Sequence, residues 1–203
     1  MADVVTLDTA LDSEMSAMIL KGKTMNIPFS SFFSQRHVWQ NGAQIAMTRA
    51  LTRIQKCFMT FLRTGSGDKE AQDLRYPSIS ADQVFTWQLQ VASKKFPETA
   101  ISSVAEYFMR LKTATGTHVS PFHNTALTLA SYTQDSFILG IDLERVLSDD
   151  PSPVGNFSGL STKAGDLLYI RSSNSHANID TAFFVLQHSC ILQLSEEGAL
   201  LFD

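Results

Sequence analysis

The sequence predicts an all-β protein: an antiparallel β-sandwich of jelly-roll type with one or two short inserted helices, forming a single domain over residues 1–203. Three observations carry this. The last third, Phe137 to Asp203, is a succession of strand-like apolar runs separated by turn formers. Gln83–Val91 alternates residue by residue, with Phe85, Trp87, Leu89 and Val91 on one face. No period of 20 to 50 residues recurs and no segment is low in complexity, which excludes solenoids and propellers.

Taken in order, Val4–Leu7 is a short strand candidate. Met15, Met18 and Ile19 then stand at helical spacing within Asp12–Leu20, with Ser13 as the cap and Gly22 as the stop. Met25–Phe33 contains Pro28, which a strand accommodates only at a sheet edge or bulge, so it is predicted as an edge strand. Asn41-Gly42 signals a turn. The first half of Ile45–Phe61 fits helix or strand, whereas its second half is richer in strand formers. Thr64–Asp73 is polar and carries two glycines, as a loop does.

After the alternating strand, Phe96-Pro97 breaks the run. Ile101, Val104, Ala105, Phe108 and Leu111 share one helical face, and Gly116 ends that helix. Ala126–Tyr132 connects it to the C-terminal stretch. There, Phe137–Val146 is β-rich, Ser148–Asn156 is a surface loop, and Gly165–Ile170 is a short strand. Ala182–Leu194 is too apolar to be half-exposed throughout, so part of it must be covered on both faces. Glu196–Gly198 turns the chain into a final strand, Ala199–Phe202, which is expected to end inside the sheet.

Composition narrows the function. With 20 acidic and 16 basic residues the net charge is -4, and no basic cluster exceeds Lys94-Lys95 or Lys21 with Lys23, so direct nucleic-acid binding has little electrostatic support. The 14 phenylalanines supply large packing pieces. Cys57 and Cys190 both lie in apolar runs and read as buried reduced thiols. No stretch resembles a secretory leader or reaches the ~20 apolar residues of a membrane helix, which predicts a soluble intracellular protein without a membrane partner. Met1-Ala2 permits a genuine start.

The residue types that carry chemistry do not form a pattern. The five histidines are His37, His118, His123, His176 and His188. His118 and His123 flank Pro121, but the close His-x-His pair with a nearby Glu that a cupin-like metal site needs is absent. His188, inside an apolar strand, reads as a core or interface residue. Gly65-Ser-Gly67 lacks the context of a nucleophile elbow, and no phosphate-binding glycine motif occurs. Asp149-Asp150 precedes Pro-Ser-Pro and reads as a solvated turn. The expectation is no catalytic, metal or cofactor site. Phe29, Phe32, Phe33 and Trp39 crowd one window too densely for all four to enter one core, which makes them the candidate interface.

The succession "FILGIDLERV", a Pro/Gly loop, "FSGLSTKAGDLLYI" and "FFVLQHSCILQLSEEGALLF" resembles the closing strands of the double jelly-roll major capsid proteins of large DNA viruses and virus-like transposons. Phe157–Thr162 and the Gly198 hairpin are its sharpest parts. "RALTRIQKCFMTF" is similar to the family's run into a central strand, and "ISSVAEYFMRLKTATG" to its inserted helix. The resemblance extends from about Leu11 to Phe202 and corresponds to one of the family's two jelly rolls, the C-terminal one. It implies a structural protein without enzymatic activity or cofactor. Such a protein would assemble as a homotrimer and with other capsid-like subunits, in a virion or inside the host cell, in cytoplasm or nucleus. The alternative class is a jelly-roll ligand-binding module or cupin-like metal enzyme.

Overall fold

The computed structural model describes residues 8–40, 42, 44–63, 85–117, 127–134, 137–144, 159–163, 165–173 and 179–202. In chain order its elements are α1 (Thr9–Leu20), β1 (Met25–Val38), β2 (Gln44–Ala46), β3 (Ile54–Arg63), β4 (Thr86–Val91), β5 (Lys94–Ile101), α2 (Val104–Thr115), α3 (Leu129–Gln134), β6 (Leu139–Asp142), β7 (Leu168–Ser173), β8 (Ile179–Ser195) and β9 (Gly198–Phe202). One sheet has the order β1-β8-β3-β6, with β9 also paired to β8. The other has the order β2-β7-β4-β5. Among the described residues the registered strand pairings are antiparallel and most join strands distant in sequence, the pattern of a jelly-roll sandwich. The predicted fold class stands. The strand candidate Val4–Leu7, the loops Thr64–Asp73 and Ser148–Asn156, and Asn41 lie outside the described residues.

The chain divides into two compact units, one of Phe32–His188 and one of Met1–Ser31 with Ser189–Asp203. The larger unit holds nearly all of the buried apolar residues among those described. Its interior is a run of aromatic rings in edge-on or tilted contact: Trp39 to Phe61 at 5.1 Å, Phe61 to Phe85 at 5.7 Å, Phe85 to Tyr107 at 5.9 Å and Tyr107 to Phe137 at 5.8 Å. Phe85, Trp87, Leu89 and Val91 are all buried, as their alternation predicts.

Bulges explain where the reading of periodicity fails. The stretch Ile45–Phe61 is two strands in different sheets, β2 and β3, with Arg53 at φ 51° in the bend between them. The register of β3 on β8 then shifts between Ile54 and Lys56, so burial passes from Ile54 to Cys57, Met59 and Phe61. One extra residue reverses which parity faces inward, and this erases a clean period. Likewise Phe96-Pro97 does not break the chain: it lies within β5, the outermost strand of its sheet, where a missing N–H costs no ladder bond. A register shift opposite Gln88 accommodates it, and the Gln88 amide donates to the Pro97 and Glu98 carbonyls at 2.7 and 2.9 Å.

The helices hold this hairpin. Ile101 ends β5 instead of opening α2, which starts at Val104 and buries Tyr107, Leu111 and Ala114. The Tyr107 hydroxyl donates a hydrogen bond shared between the carbonyls of Phe85 at 2.8 Å and Ile101 at 2.7 Å. Gly116 closes the helix at φ 72°, as expected. Gly140 lets α2 lie on β6: a Cβ there would stand 2.9 Å from Leu111 Cδ1 and 3.3 Å from Leu111 Cα. The connector at Ala126–Tyr132 contains the start of α3, capped reciprocally, with Ser131 N donating to Thr128 Oγ1 at 3.2 Å and Thr128 N to Ser131 Oγ at 3.0 Å.

In the smaller unit, α1 begins at Thr9, earlier than predicted, with Asp8 at the N-cap position. Ser13 is not the cap; it sits one turn inside and its hydroxyl donates back to the Thr9 carbonyl at 2.7 Å. Gly22 ends the helix with φ 74°, while Lys23 N reaches the Met18 carbonyl at 3.1 Å. None of the helix's residues is buried.

Both cysteines are buried and free of disulfides. Burial pushes the Cys57 thiol up to about 12. Native protein at pH 8 should therefore leave Cys57 unmodified by a thiol reagent over the time in which denatured protein reacts fully. Mass spectrometry after pulse alkylation checks this. Because the folded value is raised, the contribution to stability is complete below the ordinary value of 9.0 and is lost as pH rises toward 12.

Candidate assembly surface

Strand β1 carries the aromatic window, and its period of two sorts the four residues. From Ser31 to Val38 the odd positions are half-buried and the even ones exposed. Phe32 is outward and 64% exposed, and Val38, on the same face, is more exposed still. Between them Arg36 lies over the Phe183 ring at 5.8 Å. Phe33 points the other way, packs against the core and is covered by Arg49 at 5.6 Å. Trp39 is 2% exposed, edge-on to Phe61, and belongs wholly to the core. Phe29, in the smaller unit, is exposed. Of the four window residues, Phe29 and Phe32 are available to a partner and Phe33 and Trp39 are not.

Sequence reasoning missed a second apolar surface, in the smaller unit. β9 pairs with β8 in the register Ser195↔Gly198 to Ile191↔Phe202, and all five of its residues are exposed. On the other side of β8 runs the first half of β1, where the Gln193 amide donates to Asn26 Oδ1 at 3.2 Å. Ile27, Phe29, Leu200, Leu201 and Phe202 are between 40 and 60% exposed. β9 thus joins the sheet as expected, and among the described residues it pairs along one side only. The available signal was Ala199-Leu-Leu-Phe202 itself, apolar at every position in a strand next to a turn, with no polar alternation to mark a solvent face.

The remaining candidate residues stay apart. His188 is buried in β8, and His37 is half-buried with its ring 5.8 Å from Phe184, where burial lowers its pKa. His118, His123, His176, Gly65–Gly67 and Asp149-Asp150 lie outside the described residues. Among the described residues no three His, Cys, Asp or Glu side chains gather as metal ligands would, and no helix is long and apolar enough to cross a membrane. A recess of about 520 Å³ lies along Ser93–Glu98, and among the described residues it is lined by six consecutive residues of the β4–β5 hairpin, with no side chain from another described element converging on it.

One acidic group is perturbed. At the end of β6, burial and the neighbouring Asp142 carboxylate raise the Glu144 pKa, opposed by Lys56 and Gln55. A raised acid pKa disfavours the folded state once the group must ionise, so its contribution is intact below the ordinary 4.5 and is lost as pH rises through the folded value. Glu144→Gln should raise the melting temperature at pH 7 and converge with the parent near pH 4, as thermal scans at both pH values would register.

No protein-family model matches the sequence, and no curated protein sequence matches it. Solved structures do match. VP54 of PBCV-1, fitted into a cryo-EM reconstruction of the virophage Sputnik, superimposes with a TM-score of 0.53 at 7% identity, over 97% of this chain and 55% of that one. A chain of the Sputnik virophage, from a 3.5 Å cryo-EM structure, matches with a TM-score of 0.47 at 11% identity, over 88% of this chain and 39% of that one. This chain therefore spans about half, or less, of the length of these structures. The fold resembles that of the double jelly-roll major capsid proteins, as the order of the C-terminal strands implies.

Proposed function

We propose that this chain is a non-catalytic, capsid-like building block that assembles through protein–protein contacts in a virion, as a homotrimer and with other capsid-like subunits. The observation that carries the reading is the likeness of fold to VP54 along nearly the whole chain. The way the sandwich is filled supports it. A jelly-roll enzyme or ligand-binding module presents its groups to a cavity between the sheets, and here the aromatic run from Trp39 to Phe137 fills that space. Phe29 and Phe32 would contribute to the subunit contacts. The charge of -4 argues against nucleic acid as a direct partner.

Native mass spectrometry and light scattering over a concentration series test the proposal. A trimer is expected, and a chain that stays monomeric at high micromolar concentration would remove the assembly reading. Elemental analysis of the same sample separates the alternative class, since one zinc, iron or manganese per chain would favour the cupin-like enzyme.

A further inference from the structure

We propose that copies of this chain dock head to tail, the acidic surface of α1 and the β8–β9 turn of one copy meeting the basic outer strand β1 of the next. This rests on the assembly reading above and names the two surfaces that meet in it. Charge is segregated along the chain. From Met15 to Gly67 there are seven lysines and arginines and no aspartate or glutamate, and five of those cations belong to the larger unit. The smaller unit carries seven acidic residues against two basic ones, a net of -5 in a chain whose total is -4. Surfaces of one sign speed encounter and fix register where a surface of the other sign is the partner, and here both signs stand on the same chain.

The basic surface is built on the outermost strand of its sheet. Arg36 is exposed on the outward face of β1, over the Phe183 ring and between the exposed Phe32 and Val38. Arg49, also exposed, lies over Phe33 on the opposite face, so cations flank the strand on both sides. A ring beneath a planar guanidinium restricts it, which lowers the entropy lost when a partner orders it. The acidic surface is Asp12 and Glu14 on α1 with Glu196 and Glu197 at the β8–β9 turn, all exposed. α1 also exposes Leu11, Met18 and Leu20, so each surface combines charge with apolar area. Exposed ion pairs are individually weak; the charges select the partner surface and the apolar area supplies the burial. A two-fold contact would set either surface against its own copy, like charge on like. A head-to-tail contact sets opposite charges together, and it is the kind from which a ring of three closes.

The test reverses each set of charges and then both together. One variant carries Arg36→Glu with Arg49→Glu, a second carries Glu14→Lys, Glu196→Lys and Glu197→Lys, and a third carries all five changes. Circular dichroism confirms folding, and light scattering gives the concentration of half-assembly. Each set alone should raise that concentration by about tenfold or more, and the five-fold variant should return to within about threefold of the wild type, because opposite charges face each other again. General repulsion between copies predicts otherwise: the three glutamate changes move the net charge from -4 to +2, nearer zero, and would leave assembly no weaker than before. Should the arginine variant not fold, the glutamate variant decides together with salt, since the wild-type half-assembly concentration should rise about tenfold between ~0.05 and ~0.5 M salt. A wild-type oligomer that neither set weakens, or a loss that the five-fold variant does not repair, overturns the head-to-tail contact and leaves the building-block reading standing. A wild type that is monomeric at high micromolar concentration overturns both, and its retention on heparin through Arg36 and Arg49 would assign the basic surface to a polyanion instead.

Discussion

Gly159→Ala is expected to be among the most destabilising single changes in this chain, costing about 3 kcal/mol or more. Gly159 has φ 144°, a conformation that side-chain-bearing residues rarely adopt. A Cβ built there would stand 2.8 Å from the Arg53 carbonyl carbon, 2.9 Å from its Cα and 2.9 Å from the Ile54 oxygen. These are backbone atoms, and they cannot step aside as a side-chain tip can. The contact is close because the next residues latch onto this segment. Leu160 and Ile54 exchange both backbone hydrogen bonds, at 2.8 and 3.0 Å, and Thr162 N donates to the Leu51 carbonyl at 2.9 Å. Leu51 N in turn donates to Thr162 Oγ1 at 2.9 Å, in a buried position. Thr162→Val removes that acceptor without changing shape and should cost about 1–3 kcal/mol, because the Leu51 N–H is left unsatisfied. Urea denaturation followed by far-UV circular dichroism checks both, and a Gly159→Ala midpoint equal to that of the parent would sink the argument.

The latch also explains why "FSGLST" was informative as a sequence. Its glycine and threonine are fixed by a backbone approach and a buried hydrogen bond, two demands few other residues meet. The C-terminal strands were legible for a related reason. β8 lies between β1 and β3, buries Ala182, Phe184, Leu186 and the consecutive His188, Ser189 and Cys190, and stands out in composition because it is apolar along most of its length. What stayed illegible were features that depend on partners remote in sequence. The bulge at Ile54–Lys56 reverses the inward parity of β3 only because β8 lies alongside, and the strand at Lys94–Ile101 tolerates Pro97 only because it is the edge. The candidate assembly surface was half legible. Crowding of aromatics in Phe29–Trp39 drew attention to β1, but only the strand's actual phase separates Phe32 from Phe33 and Trp39.

That phase makes the last prediction a contrast between two aromatics seven residues apart on one stretch of chain. Trp39→Ser should unfold the protein or come close to it. The indole is 2% exposed, stands edge-on to Phe61 at 5.1 Å and reaches Phe184 at 6.5 Å. Truncating a large buried aromatic costs about 3–5 kcal/mol, a sizeable share of the 5–15 kcal/mol that holds a typical domain together. The indole N–H makes no hydrogen bond among the described residues, so Trp39→Phe gives up apolar volume without orphaning a partner and should retain most of the stability. Phe32→Ser should behave in the opposite way. With 64% of its surface already in water, its loss should change stability by no more than about 0.5 kcal/mol. Its effect should appear in assembly, as a rise of at least tenfold in the concentration at which light scattering first detects the oligomer. If Phe32→Ser melts early and assembles normally while Trp39→Ser stays folded, β1 presents the opposite face from the one described, and the role assigned to Phe32 falls with it.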